Sequence, residues 1–388
     1  MRVLGMISGT SFDAIDVAVA ELERDGGTVR MRPVHAQELP FPEDLRHRVA
    51  ALLPPAPTTI DEVCRLDTLL GQAFADAAEA AIATAGPVDV VVSHGQTVFH
   101  WAEDRHALGT LQLGQPAWIA ARTGAAVVSD LRSRDIAEGG HGAPLASTLD
   151  VLLLGEDRAE VCGSLNLGGI ANLTVVGGQA PPVAYDTGPA NAFLDAAVRE
   201  LTGGAEHFDA GGARAARGMV DTELLGHLLA DPYYDLAPPK STGKELFHLA
   251  ALTEVLGGRS IDDDVLATLV ELTVETVARA CEQHGVTEVF GAGGGMSNPF
   301  LRQRLATRLG SVPLRDFDEL GIPAATKEAY LFALLGFLTV HGLPGTVPSC
   351  TGARSTTIAG TVVPGRGGLP RPTGEEGGRV HRLEVVGP

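Results

Sequence analysis

Met6-Ile7-Ser8-Gly9-Thr10-Ser11-Phe12-Asp13-Ala14-Ile15-Asp16 decides how this chain is read. It joins the apolar run 3–7 to an alternating segment, 15–22, so the pattern is strand, tight polar turn, strand. Gly9 lets a ligand approach the backbone closely, Thr10 and Ser11 add hydroxyl donors, and successive amide N–H groups in such a turn can form an anion-binding nest. Asp13 and Asp16 place hard oxygen ligands beside that nest, which is what a magnesium-bound polyphosphate requires. A hairpin that only reverses direction more often carries Asn-Gly or Asp-Gly. A polar turn that happens to be rich in hydroxyls is the simpler alternative, and the rest of the chain decides between them.

The first turn has an echo. Gly163-Ser164-Leu165-Asn166-Leu167-Gly168-Gly169-Ile170-Ala171-Asn172-Leu173-Thr174-Val175-Val176 is again strand, glycine turn, strand. Two such hairpins, each opening about half the chain, predict a duplicated α/β lobe. At 388 residues the chain exceeds what one hydrophobic core serves. The expected division is a first lobe of residues 1–130 plus about 342–388, with the first hairpin. Residues 131–341 form the second lobe, with the second hairpin and the loops described next.

Apolar residues recur at helical spacing over 57–85, and the valine-rich run 88–93 reads as a buried strand emptying into the polar loop His94-Gly95-Gln96-Thr97. A second such strand, 125–129, empties into Asp130-Leu131-Arg132-Ser133-Arg134-Asp135. Functional groups collect at the C-terminal ends of sheet strands. Helices are expected at 190–201, 224–229, 265–284, 299–309 and 327–341. The Pro- and Gly-rich residues 364–387 read as a loosely held tail.

Composition narrows the class. A net charge of −19 argues against a nucleic-acid surface and against docking on anionic lipid. Cys64, Cys162, Cys281 and Cys350 lie far apart, so neither a zinc site nor a disulfide framework is indicated. No apolar run spans a bilayer and residues 1–5 carry no signal-peptide pattern, so a cytoplasmic protein is expected.

Three further segments carry chemistry. Asp186-Thr187-Gly188-Pro189-Ala190-Asn191 puts a carboxylate at a strand end before a helix, where it can take a proton from a nucleophile or simply cap the helix. It occurs once, so the paired carboxylates of an aspartic protease are excluded. Gly291-Ala292-Gly293-Gly294-Gly295-Met296-Ser297-Asn298-Pro299 follows a strand and opens a helix, leaving bare backbone against which a flat ring or a phosphate can lie. It is not the dinucleotide fingerprint, because Met296 stands where the last glycine belongs. Ser241-Thr242-Gly243-Lys244-Glu245 is not a Walker A loop either. Arg122, Arg132 and Arg134 cluster around the early loops and can neutralise a carboxylate or phosphate. His94 and His141 read as polar lining residues.

Taken together, these segments resemble the anhydro-N-acetylmuramic acid kinase family over nearly the whole length. The matched blocks include residues 7–13, 93–100, 134–145, 166–172, 185–191, 237–245 and 293–299. The resemblance implies two RNase H-like lobes of the sugar kinase, Hsp70 and actin superfamily with a central ATP cleft, ATP and Mg²⁺ as cofactors, and a possible homodimer. It implies that water opens the 1,6-anhydro bridge while the freed O6 is phosphorylated. On that resemblance Asp186 matches the general base. Gly9, Thr10, Ser11, Asp13 and Asp16 match the phosphate and magnesium turn, with Asp13 reaching the metal. Gly168, Gly169 and Asn172 form the second clamp, and Gly293, Gly294 and Gly295 match the nucleotide loop. Thr97, Arg122 and Glu328 fall where the sugar pocket is expected. Ala14 and Ala190 replace family glycines and require negative φ. A kinase for another anhydrosugar such as levoglucosan, and a non-catalytic binder of the same fold, are the competing readings.

Overall fold

The computed structural model describes residues 1–9, 12–54, 56–103, 106–242, 246–372 and 378–387. Thr10, Ser11 and the segment Gly243-Lys244-Glu245 lie outside them. The chain divides into two compact units, Met1–Glu156 with Leu320–Pro388, and Asp157–Glu319.

In chain order the first unit contributes β1 (Arg2–Ser8), β2 (Ala14–Asp25), β3 (Thr28–Pro40), β4 (Val90–Glu103), β5 (His106–Leu113) and β6 (Ala126–Ser129). The second contributes β7 (Cys162–Leu167), β8 (Ile170–Val176), β9 (Val183–Pro189), β10 (Glu288–Ala292) and β11 (Leu314–Asp316). The chain then returns to the first unit with β12 (Thr361–Val363) and β13 (Arg382–Val385).

The two sheets share one plan. In the first unit, β1 pairs antiparallel with β2 and β2 with β3, while β4 lies parallel to β1 and β6 parallel to β4. In the second, β7, β8 and β9 form the antiparallel meander, and β10 lies parallel to β7 and β11 to β10. Strand order is thus β3-β2-β1-β4-β6 and β9-β8-β7-β10-β11, the RNase H-like arrangement expected twice over. Each unit has its own core. Leu4, Val17, Phe74 and Val91 are buried in the first, and Leu165, Leu173, Leu269 and Val289 in the second.

Several boundaries differ from the sequence reading. Helix Lys327–Val340 packs on β1, β2 and β4 and so belongs to the first unit, not the second. Gly5 explains the fit: a Cβ there would collide with Ala329 O and Ala333 N, so only glycine lets the strand meet the helix this closely. Residues 131–156 also join the first unit, moving the expected boundaries from 130 and 341 to 156 and 319. The C-terminal stretch is not wholly loose, because β13 extends the sheet beside β3 and β12 pairs with β6. Residues 94–97 are not a loop. β4 continues to Glu103 and pairs with β5, with Gly95 at φ +72 and irregular register where the strand bends.

Candidate active site

In the first unit the β1–β2 turn is anchored from the next strand. Ser8 Oγ donates to Gln96 Oε1 at 2.6 Å, and Gln96 Nε2 donates to Gly9 O at 3.3 Å. Phe12 N closes the turn on Gly9 O at 3.2 Å and Phe12 sits at φ +42. Among the described residues, nothing lies within 4 Å of a Cβ built on Gly9, so the backbone there has room on that side. Asp13 is exposed at the end of the turn and Asp16 is half-buried in β2. Asp16 faces Glu38 across the β2–β3 ladder, an unfavourable like-charge pairing. Burial, then Glu38, Glu328 and Asp13, push the Asp16 carboxyl up to about 6.

Glu328 lies in the first turn of helix Lys327–Val340. The preceding Lys327 fixes that turn through a buried ion pair, its Nζ 2.6 Å from Asp150 Oδ1. Glu328 also acts on Arg132, whose pKa burial lowers to about 10 against the favourable field of that carboxylate. Arg132 Nε donates to His94 Nε2 at 2.9 Å and Arg132 Nη1 to Gly142 O at 2.7 Å. Burial and the Arg132 charge pull His94 down to about 3, so the imidazole is neutral at ordinary pH and serves as an acceptor rather than a proton donor. A cavity of about 520 Å³ opens beside the ends of β4 and β6, lined by Ser93, His94, Asp67, Asp130 and Ser133 among others.

In the second unit the turn Gly168-Gly169 has its carbonyls occupied. Gly169 O accepts from Ala190 N and Ala192 N at 2.9 Å each, and Gly168 O accepts from Asn191 N and Asn191 Nδ2. Ala190 caps helix Asn191–Leu201 at φ −116, and Ala14 lies in β2, so both residues that the resemblance sets against glycines keep negative φ. The 293–295 loop packs on this hairpin, and its glycines are not equivalent. A Cβ on Gly293 (φ +87) would meet Asn166 Oδ1 at 2.6 Å, and one on Gly295 would meet Leu167 Cβ at 2.6 Å. Among the described residues a Cβ on Gly294 would meet only Asn191 Nδ2, at 3.8 Å, and Gly294 borders a cavity of about 280 Å³ with Asn191, Leu194, Phe208 and Ser297. Phe208 is 61% exposed there, an aromatic face left open to a ligand.

Asp186 stands within β9, opposite Asn172 in the register of β8. It does not cap the helix, which begins at Asn191 with Ala190 before it. Its Oδ2 accepts from Thr242 N at 2.8 Å, its N donates to Lys240 O at 3.1 Å, and its carbonyl accepts from Tyr233 Oη at 2.7 Å. The second unit therefore brings Asp186, Asn172, Gly168, Gly169 and the 293–295 loop onto neighbouring strands and turns.

The model of the anhydro-N-acetylmuramic acid kinase family matches residues 1–365. The chain belongs to that family. The anhydro-N-acetylmuramic acid kinase of Streptomyces coelicolor is 54% identical over 381 residues, 97% of each chain. That of Rhodococcus erythropolis is 52% identical over 384 residues, 96% of each. A solved ROK hexokinase from Thermus thermophilus covers 85% of this chain and 98% of its own, at 16% identity and a TM-score of 0.36.

Among the residues matched to the family's sugar pocket, the structure separates Arg122 from Glu328. Arg122 Nη1 pairs with Asp76 at 2.9 Å and Glu79 at 2.8 Å on the outer side of helix Ile60–Ala85. Arg132 is the arginine that shares an environment with Glu328. Thr97 sits where β4 meets β5, its hydroxyl accepting from Gln112 Nε2 at 3.2 Å. Sequence reasoning missed Thr242, Tyr233 and Lys240 as supports of Asp186. The Pro238-Pro239-Lys240-Ser241-Thr242 block was visible, but nothing in it marked a return to β9. Among the described residues no helix is long and apolar enough to cross a membrane, and no group of three His, Cys, Asp or Glu is placed to hold a metal.

Proposed function

We propose that this protein is an ATP-dependent kinase of anhydro-N-acetylmuramic acid, acting in the recycling of cell-wall sugars. Water adds to C1 of the sugar, the C1–O6 bridge breaks, and O6 takes the γ-phosphoryl group of ATP, giving N-acetylmuramic acid 6-phosphate and ADP. The proton of the attacking water goes to Asp186. The observation that carries this reading is Asp186 itself, a half-buried carboxylate held by Thr242 N beside the glycine turn and the 293–295 loop of the same unit. A pure binder has no use for an oriented base in that place.

Two turns of opposite character offer contacts for phosphate and for a cation. Gly168 and Gly169 commit their carbonyls to the helix start, which leaves amide donors for phosphate. Phe208 and Gly294 border a cavity suited to a nucleoside. On the first turn, Gly9 has room on one side for phosphate, and Asp13 with Asp16 would hold Mg²⁺. The raised Asp16 pKa fits a carboxylate group that a bound cation relieves. Magnesium would supply charge neutralisation on the transferring phosphoryl group.

Arg132 favours the muramic sugar over a plain anhydrosugar. It forms no ion pair within 4 Å among the described residues, so its charge is available to the lactyl carboxylate, which levoglucosan lacks. The test is a coupled ATP-consumption assay with anhydro-N-acetylmuramic acid, levoglucosan and N-acetylmuramic acid. Turnover of the first above the other two is expected. Activity with the last alone would remove ring opening from the reaction. Arg132→Met should raise KM for the muramic sugar by about 10²-fold, the scale of a lost charged hydrogen bond. Unchanged selectivity in that variant would take Arg132 out of recognition.

A further inference from the structure

Behind Asp186 lies a buried ammonium that makes no ion pair within 4 Å among the described residues. Lys240 Nζ donates to Tyr233 O and to Tyr234 O at 3.1 Å each. It also lies 4.7 Å from the Tyr233 ring centroid and 5.7 Å from that of Tyr185. Two carbonyls and two aromatic faces thus take the place of a contacting anion, and burial draws the Lys240 pKa down against the weaker, favourable field of Asp235. A buried cation of this kind is unfavourable unless its surroundings are arranged around it.

Those surroundings converge on one residue. Tyr233, whose carbonyl accepts from Lys240, sends its hydroxyl to Asp186 O at 2.7 Å. The Lys240 carbonyl accepts from Asp186 N at 3.1 Å, and two residues on, Thr242 N reaches Asp186 Oδ2 at 2.8 Å. Tyr185, the second aromatic face, immediately precedes Asp186 in β9. Gly188 (φ +152) completes the fit, since a Cβ there would press on Tyr234 at 3.0 Å.

We propose that Lys240 is a positioning residue for Asp186: its ammonium staples the 233–234 carbonyls to the 240–242 segment, and this holds the Thr242 amide on the Asp186 carboxylate. Lys240 touches no reacting atom. It fixes which carboxylate oxygen carries the amide bond, and therefore how the carboxylate is turned when it takes a proton. The proposal rests on the reading of Asp186 as the base.

The test is a double-mutant cycle on the full chain, with anhydro-N-acetylmuramic acid and MgATP as substrates. Lys240→Met keeps the length and apolar stem but loses the charge and the donors. It should lower kcat by about 10- to 100-fold while both KM values stay within about threefold, the signature of a misaligned base. In an Asp186→Asn background the same change should leave the residual turnover unmoved, because nothing remains to be oriented. An equal fall in both backgrounds, or no fall in either, overturns the proposal. Where Lys240→Met gives no cooperative thermal transition, Lys240→Gln, which retains a donor for the carbonyls, replaces it in the same cycle. Its expected loss is smaller and again confined to the Asp186 background. Wild-type turnover in Asp186→Asn alone would instead overturn the reading of the base, a separate result.

Discussion

The two glycine hairpins occupy the same place in the same topology, yet one is built around negative charge and the other around neutral donors. Beside the β1–β2 turn stand Asp13, Asp16, Glu38 and Glu328, close enough to raise the Asp16 pKa. Beside the β7–β8 turn, Asn166 and Asn172 face each other across the ladder, and the glycine carbonyls are bonded to the start of helix Asn191–Leu201. On the proposed reading one plan of backbone serves two tasks: the first turn gathers acids that a cation can bridge, the second presents amide donors to an anion, and Asp186 on the adjacent strand takes the proton. Duplication supplies the geometry, and the side chains divide the chemistry.

The largest effect should come from the second unit. Asp186→Asn preserves shape and hydrogen-bonding capacity at the carboxylate position but cannot take a proton. Its kcat should fall by about 10³-fold while calorimetric ATP affinity stays within about twofold. Retained turnover would remove the assignment of proton transfer to this half. Within the same half, the glycine loop can be split. Gly293→Ala forces a side chain onto Asn166 at positive φ and should destabilise the fold by about 2–4 kcal/mol in a denaturant titration. Gly294→Ala should leave the denaturation midpoint nearly unchanged and raise KM for ATP by about tenfold. Equal stability losses in the two variants would mean that the open space at Gly294 is not kept for a ligand.

The duplicated architecture was legible because hydrophobic alternation on either side of each turn is a local signal. The strand order β3-β2-β1-β4-β6 was legible only through the resemblance, since parallel pairing of β1 with β4 joins residues some ninety positions apart. What the residues alone misjudged was local polarity read as looseness. His94–Thr97 are polar yet lie in β4, because the Gln96 side-chain amide is engaged by the carbonyls of Gly9 and Thr97. The C-terminal tail is rich in Gly and Pro, yet Arg382–Val385 finds an open sheet edge at β3. Arg122 and Arg132 look alike in sequence. Only packing separates the one paired at the surface with Asp76 and Glu79 from the one drawn against His94. Support for Asp186 from Lys240 and Thr242 is a contact across more than fifty residues, and no spacing rule announces it.

The first hairpin makes a smaller claim, on metal dependence. Asp13→Ala should weaken nucleotide binding about tenfold when Mg²⁺ is present and leave it unchanged with EDTA, as measured by titration calorimetry under both conditions. A loss that is the same with and without the metal would make Asp13 a general electrostatic influence. That would dissolve the contrast between a cation-holding turn and an anion-holding one.

The smallest effect concerns the repulsion within the acidic group when no cation is bound. Asp16 keeps its proton up to about 6 in the folded chain, against an ordinary value of 3.8. The folded state therefore binds more protons than the unfolded one in the window between those values. The stability it contributes is complete below about pH 4 and is lost as pH rises through 6. A rise of that size corresponds to at most ~3 kcal/mol, and partial solvent access at a half-buried site reduces this to about 1–2 kcal/mol. Asp16→Asn cannot ionise, so it should melt higher than the wild type at pH 8, with the difference closing by pH 4 in thermal scans. Saturating MgATP should also close it at pH 8, because a bound cation offsets the same repulsion in the wild type that the substitution removes. A difference that is constant from pH 4 to 8 would mean the substitution acts through packing, and the first turn would then carry no more electrostatic strain than the second.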